Sequence, residues 1–196
     1  TKTYNKNADD SIDEYMEQVL KRHVSGRLKV APEHTSDDTL RVMRKPSFKH
    51  FKEFKKKFDQ IDQKYNLRQQ LIPYFISSHP GCKEEDMANL AAETKDLGFK
   101  LEQVQGFTPT PMTVATVIYY AGVHPYTLKP YYTAKSKKEK ESQHRFFFWY
   151  KRENQQWIRD ILSHRGRKEL ADRLLNRKQD NKPAWLKEKR NQRKRR

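Results

Sequence analysis

The segment Leu71-Ile72-Pro73-Tyr74-Phe75-Ile76-Ser77-Ser78-His79-Pro80-Gly81 decides the fold. Its first part is almost continuously apolar, and His79-Pro80-Gly81 turns the chain directly after it. A short apolar run bounded by turn residues suits a strand covered on both faces, as in a parallel sheet. Pro73 weighs against a central place in that sheet, because proline offers no N–H to a ladder. Upstream, Arg27 to Ala31 puts Leu28 and Val30 on one face and reads as another strand, stopped by Pro32 with Glu33 and His34 just past its end. Downstream, Lys100 to Gln105 reads as a third strand, followed by the loop Gly106-Phe107-Thr108-Pro109-Thr110-Pro111.

The intervals between these strands carry helical periodicity. Ser11 with Glu14 forms a capping box that opens a helix bearing Ile12, Tyr15, Met16, Val19 and Leu20, with Gly26 placed to end it. Thr35 or Ser36 caps a short helix carrying Leu40, Val42 and Met43, which Pro46 breaks. Ser47 caps a longer one whose stripe is Phe48, Phe51, Phe54, Phe58 and Ile61, a spacing that belongs to core packing. A helix over about residues 83–97 turns Met87, Leu90, Ala91 and Leu97 inward, and Thr113 to Ala121 forms a last short one. Strands alternating with helices predict an α/β fold with a parallel sheet and right-handed crossovers. Three strands are few for such a sheet, so it is either part of something larger or a small open sheet with an exposed edge.

Charged and apolar residues each make up 34% of the 196 residues, and mean hydropathy is −1.15, so part of the chain has to stay out of the core. The formal charge of +17 is uneven. Residues 1–128 carry a net +2, whereas residues 129–168 and 177–196 carry +8 each. Val123 to Thr133 is rich in Pro and Tyr and reads as irregular. Ser136 to about Arg152 reads as a basic helix containing Phe146, Phe147, Phe148, Trp149 and Tyr150. Five consecutive aromatics cannot share one helix face, so some dock on the body. Two short helices over 154–163 and 166–175 follow, and then a basic tail. The expected organisation is thus a body over 1–125, a helical basic extension over 126–176, and a disordered basic tail over 177–196. The tail reads either as a solvated like-charge run or as an arm for RNA or another polyanion.

Several classes are excluded. No run of about 18 apolar residues is present, so no transmembrane helix and no membrane partner are expected. The single cysteine, Cys82, rules out an internal disulfide and any multi-cysteine metal site built by this chain alone. Reducing, cytoplasmic conditions fit that usage. There is no Gly-rich phosphate loop and no zinc-ligand spacing.

Sites of parallel α/β sheets lie beyond the carboxyl ends of the strands. Here all three ends are polar: Lys29 to His34, then Ser77, Ser78 and His79, then Gln103, Gln105 and Thr108. Ser78 and Thr35 read equally as helix caps. Cys82, before a helix start, combines on paper with His79 and Glu33 into a nucleophile, base and orienter, although no nucleophile elbow surrounds it.

The blocks SGRLKVAPEHTSDDTLRVMRKP (residues 25–46), LIPYFISSHPG (71–81) and EQVQGFTPTPMTVAT (102–116) resemble, in order and spacing, the second half of YgiQ-type radical S-adenosylmethionine (SAM) proteins. The resemblance covers about residues 25–152. It implies a partial TIM-like barrel, three or so parallel strands with flanking helices, plus a helical C-terminal extension. It also implies SAM at the strand ends. By position, Lys29 and Glu33 stand where that superfamily contacts the SAM ribose or carboxylate. Ser77, Ser78 and His79 stand near the adenosyl group, and Gln105, Phe107 and Thr108 near the adenine. The family's CxxxCxxC loop, which holds a 4Fe-4S cluster, is absent. The resemblance therefore casts this chain as a C-terminal fragment that partners the N-terminal half of its own parent chain. Alone it is expected to hold no cofactor and to be inactive. It assigns no catalytic residue and no substrate. A nucleic-acid-binding module using the basic, aromatic C-terminal third is the alternative.

Overall fold

The computed structural model describes the backbone of residues 6–176 and the side chains of residues 11–176. The elements are α1 (Lys6–Arg22), β1 (Arg27–Glu33), α2 (Asp37–Met43), α3 (Phe48–Tyr65), β2 (Gln70–Ser77), α4 (Glu84–Asp96), β3 (Gln103–Gly106), α5 (Val114–Ala121), α6 (Lys137–Arg145), a 3-10 turn (Phe146–Phe148), α7 (Arg152–His164) and α8 (Lys168–Leu175). The strands form one open, parallel, three-stranded sheet in the order β1-β2-β3, with no closed barrel among the described residues. β2 and β3 pair from Tyr74↔Gln103 to Ser77↔Gly106. The basic tail expected over 177–196 lies outside the described residues. No described helix is long and apolar enough to cross a membrane.

The chain divides into two compact units, one of residues up to 30 with 49–72, the other of residues 31–48 with those from 73 onward. In the first unit α1 and α3 supply buried Leu20, Phe51 and Phe58. The Gln69 amide ties the unit together by donating to the carbonyls of Leu20 (2.6 Å) and Val24 (2.9 Å). Its own backbone N–H donates to Asp62 (2.7 Å).

The second unit is built on α4. This helix buries Met87, Ala88, Leu90, Ala91 and Ala92, and α6, the 3-10 turn and α8 all pack against it. Phe75 of β2, Phe146, Phe147, Ile158, Leu162 and Leu174 complete a core in which each is at most 2% exposed. Lys95, in the last turn of α4, donates to the carbonyls of Arg173, Leu174 and Asn176 at 2.8–2.9 Å. It thereby satisfies the carbonyls that the end of α8 leaves unpaired.

The elements depart from the sequence expectation in instructive places. α1 begins at Lys6, before the Ser11 capping box, and ends at Arg22. Gly26 therefore belongs to the turn into β1, where its carbonyl accepts from Gln70 N (2.8 Å), and does not cap the helix. β1 runs through Pro32 to Glu33, which an edge strand allows. β2 is central despite Pro73, because its pairing to β3 starts one residue later, at Tyr74. β3 starts at Gln103 and not at Lys100, since Leu101 is spent in the core. The expected helix over 136–152 breaks at Arg145. The tighter 3-10 turn drives Phe146 and Phe147 into the interior and leaves Phe148, Trp149 and Tyr150 half-buried.

A candidate site at the strand ends

Two strand ends finish in the same unusual way. Glu33 closes β1 with φ +65°, and Ser78 follows β2 with φ +62°. Both are non-glycine residues in the left-handed region, a conformation that costs energy and clusters at functional loops. Each kink redirects the chain, so adjacent side chains part company. Gly81 completes the second turn at φ +87°. A Cβ there would be strained at this φ and would crowd Val42 Cγ2 at 3.2 Å, with the Tyr131 ring at 3.4 Å, so glycine is favoured here.

In front of the strand ends lies an open cavity of about 400 Å³. Glu33 comes from β1, His79 from the turn after β2, and Gln105 and Gly106 from β3. Phe107, Thr108 and Thr110 follow on the next loop, Val42, Met43 and Arg44 come from α2 and its end, and Thr113 to Ala115 open α5. Glu33 is held by Lys45 Nζ at 3.1 Å. Gln105 Oε1 accepts from the Tyr74 hydroxyl. Thr113 caps α5 by accepting from Thr116 N (3.2 Å), and its hydroxyl donates to Thr110 O (3.0 Å), which stiffens the threonine-rich wall.

His79 sits edge-on to Phe107, with ring centroids 4.9 Å apart. Its Nδ1 lies 2.9 Å from the Pro80 carbonyl. A carbonyl only accepts, so Nδ1 carries the proton and Nε2 keeps a lone pair. Burial lowers the His79 pKa, against the opposing pull of the Pro80 hydrogen bond and the Glu33 charge. The ring is thus neutral near pH 7.

Behind the same strand ends is a closed polar network. Gln143 of α6, 1% exposed, accepts from Ser78 N (2.8 Å) and donates to the Cys82 carbonyl (2.9 Å). The Cys82 thiol lies 3.3 Å from Gln143 Oε1 and 3.3 Å from His34 Nε2. His34 Nδ1 accepts from Ser36 N at 2.9 Å, so His34 Nε2 bears the proton and donates to sulfur. Ser36, at the N-cap position of α2, makes no side-chain cap and uses its backbone N–H here instead. Burial pulls the His34 pKa down to about 3, with the His79 charge acting in the same direction. Burial pushes the Cys82 thiol well above its ordinary value. The pair is a neutral imidazole and a neutral thiol.

This corrects the nucleophile reading. Cys82 is fully buried, its imidazole neighbour is His34 and not His79, and burial together with the Asp86 charge outweighs the Ser78 backbone hydrogen bond that would favour a thiolate. Of the residues singled out from sequence, Glu33, His79, Gln105, Phe107 and Thr108 line the one cavity. Ser77 and Ser78 do not; they are buried behind it. The Ser77 carbonyl accepts from Phe107 N (2.8 Å), and the Ser78 hydroxyl has no hydrogen-bond partner. Lys29 lies exposed in the middle of β1, because the strand continues four residues beyond it, and it is not among the lining residues. Sequence reasoning missed Arg44 and the Thr110 to Ala115 wall. The run of threonines and prolines after β3 was the available sign of the latter. Gln143 had no local sign at all.

Residues 102–196 match a family model described as "Domain of unknown function (DUF3362)". The chain is 62% identical over 167 residues to a UPF0313 protein of Porphyromonas gingivalis, covering 85% of this chain and 26% of the relative. It is 61% identical over 168 residues to a UPF0313 protein of Bacteroides thetaiotaomicron, covering 86% and 27%. A UPF0313 protein of Clostridium perfringens strain 13 is 41% identical over 161 residues, covering 82% and 24%. The chain spans about a quarter of the length of these curated relatives. No solved structure matches it.

Proposed function

We propose that this chain is the C-terminal part of a radical SAM enzyme and that the strand-end cavity takes SAM. The supporting observation is the convergence of Glu33, His79, Gln105, Phe107 and Thr108 on one cavity beyond a parallel sheet, where such sheets bind ligands. The similarity to UPF0313 proteins agrees, since that family is the YgiQ-like one. The cavity volume falls within the roughly 300–1,000 Å³ of small-molecule sites. Its donor set also suits the ligand. Glu33 offers a carboxylate to an ammonium, Phe107 an aromatic edge to a purine, and Gln105 and Thr108 hydrogen bonds to polar edges. His79, neutral, offers Nε2 as an acceptor and repels no sulfonium.

SAM held at these strand ends would supply radical chemistry only with a reduced 4Fe-4S cluster. The residues of this chain do not fit that cluster, since Cys82 is the single cysteine and is locked against His34 and Gln143. The thiolates belong to the rest of the parent protein. A reducing cytoplasm suits both the free thiol and such a cluster.

The test is SAM binding and cleavage by the full-length protein, purified anaerobically and supplied with iron and sulfide. Reductive release of 5′-deoxyadenosine is expected. Replacing Gln105 and Thr108 together (Gln105→Ala, Thr108→Val) should weaken SAM binding by about tenfold, the equivalent of about 1.4 kcal/mol. Unchanged SAM affinity in that variant, or a full-length protein that neither holds iron–sulfur nor cleaves SAM, sinks the reading.

A further inference from the structure

The aromatic run over 146–150 is not the free platform its sequence invites. Phe146 and Phe147 are fully buried, the Tyr150 hydroxyl donates to the Leu101 carbonyl, and Lys95 sits over the Trp149 ring. Exposed rings lie elsewhere, among them those of α5 and the loop after it. Tyr120 is 68% exposed, Tyr126 74% and Leu128 73%.

This loop is built and not frayed. Val123 and Pro130 form an antiparallel bridge, and His124 N donates to Lys129 O (2.9 Å). Leu128 takes a left-handed turn at φ +53° and donates to His124 O (2.8 Å). His124 stands between two rings, 5.7 Å from Tyr126 and 6.3 Å from Tyr131. Arg44, which lines the strand-end cavity, places its guanidinium 6.0 Å from the Tyr126 ring centroid. A rigid loop therefore holds an exposed aromatic face beside the cavity mouth.

The charge around it has one dominant sign. From Val123 to Lys138 the chain has four lysines and no acidic residue. Lys129 and Lys138 have no acidic partner among the described residues, and Lys135 Nζ donates to the Tyr120 carbonyl (3.0 Å). The nearest acids in sequence are engaged: Glu139 by Ser136 and Tyr132, Glu141 by Lys137. An apolar peptide gains nothing from those cations, and an acidic peptide gains little from the flat rings. A single-stranded polynucleotide uses both, phosphates on the lysines and bases on the tyrosines.

We propose that the Tyr126 loop, with Tyr120, Arg44, Lys129 and Lys138, binds single-stranded nucleic acid. On the cavity reading above, Arg44 links this surface to the site and the strand carries the substrate. Binding itself is measured without SAM, so it stands or falls separately.

The test is fluorescence anisotropy of a labelled single-stranded, uridine-rich RNA oligonucleotide with the full 196-residue chain, at about 50 and 200 mM salt. Binding should weaken steeply with salt. Tyr126→Ala should weaken it about tenfold at both salts, as losing one stacked base does, while Tyr126→Phe restores it. Replacing Lys129 and Lys138 by Gln should flatten the salt dependence. No binding at low salt overturns the proposal. So does binding indifferent to Tyr126→Ala, which assigns it to the C-terminal charges alone. If Tyr126→Ala instead turns a dimer into a monomer in sedimentation, with no RNA bound by the parent chain, the patch joins copies and the proposal fails.

Discussion

Ser78 and His79 are neighbours in the chain, and they serve opposite sides of the same strand end. His79 faces an open cavity with Glu33, Gln105 and Thr108. Ser78 faces a sealed network with Gln143, Cys82 and His34. The left-handed backbone at Ser78 divides them. In front, polar groups keep spare hydrogen-bonding capacity for a ligand. Behind, nearly every polar group is already matched within the protein. The first arrangement serves binding and the second holds the turn in shape, so the two sides respond differently to mutation and to pH.

The comparison breaks most cleanly at Gln143. Gln143→Leu keeps most of the volume but strands Ser78 N and the Cys82 carbonyl. Each buried group left unpaired costs about 1–3 kcal/mol, so a loss of about 2–4 kcal/mol in urea unfolding is expected. Thr108→Ala on the front, where the side chain is exposed, should stay within about 0.5 kcal/mol. Similar losses for both variants would erase the distinction between the two sides.

The same sequence motif thus concealed the larger energetic role. The strand–helix alternation was legible because apolar periodicity is local: Leu71 to Ile76, the Phe48–Phe58 stripe and the turn at His79-Pro80-Gly81 each carry their own signal. Five strand-end residues of the cavity were legible for the same reason, since the carboxyl ends of parallel strands can be counted along the chain. What stayed hidden depends on long-range placement. Gln143 reaches Ser78 across 65 positions. Cys82 and His34 meet across 48, and that meeting turned an apparent nucleophile into a neutral core residue. Lys29 was misplaced by a strand boundary, because an edge strand could run through Pro32.

pH sharpens the contrast next. His34 titrates near 6.5 when unfolded and near 3 when folded. Between those values the unfolded chain binds a proton that the folded chain refuses. Stability should therefore be intact above about pH 6.5 and fall as pH drops, by about 1.4 kcal/mol per unit, until the slope fades near pH 3. His79, also lowered by burial, adds in the same direction. Urea midpoints between pH 7 and 4 measure the slope. His34→Gln should flatten it, whereas an unchanged slope in that variant would place the acid sensitivity elsewhere.

A smaller effect is expected where the helical extension meets α4 at its C-terminal end. Lys95 satisfies three carbonyls at the end of α8. Lys95→Met keeps the stem and removes the donors. The expected cost is about 1 kcal/mol, since charged donors at a helix C-terminus contribute on that scale. Hydrogen exchange should show α8 opening faster while α4 keeps its protection. Equal loosening of both helices would mean that they unfold as one unit.

The smallest effect should come from Arg173, a few residues away. Its Nε and Nη2 reach the same Asp96 oxygen, at 2.9 and 2.6 Å, in the manner of a strong ion pair. Both side chains are about half exposed, however, and water already solvates them well. Two long side chains also lose freedom to hold one geometry. A coupling below about 0.5 kcal/mol is therefore expected from a double-mutant cycle of Arg173→Ala with Asp96→Ala, shrinking further in about 1 M salt. Gln143, with fewer charges but no water, should outweigh this pair several-fold. A coupling above about 2 kcal/mol would reverse that ranking and make surface ions, not the buried amide, the anchor of the extension.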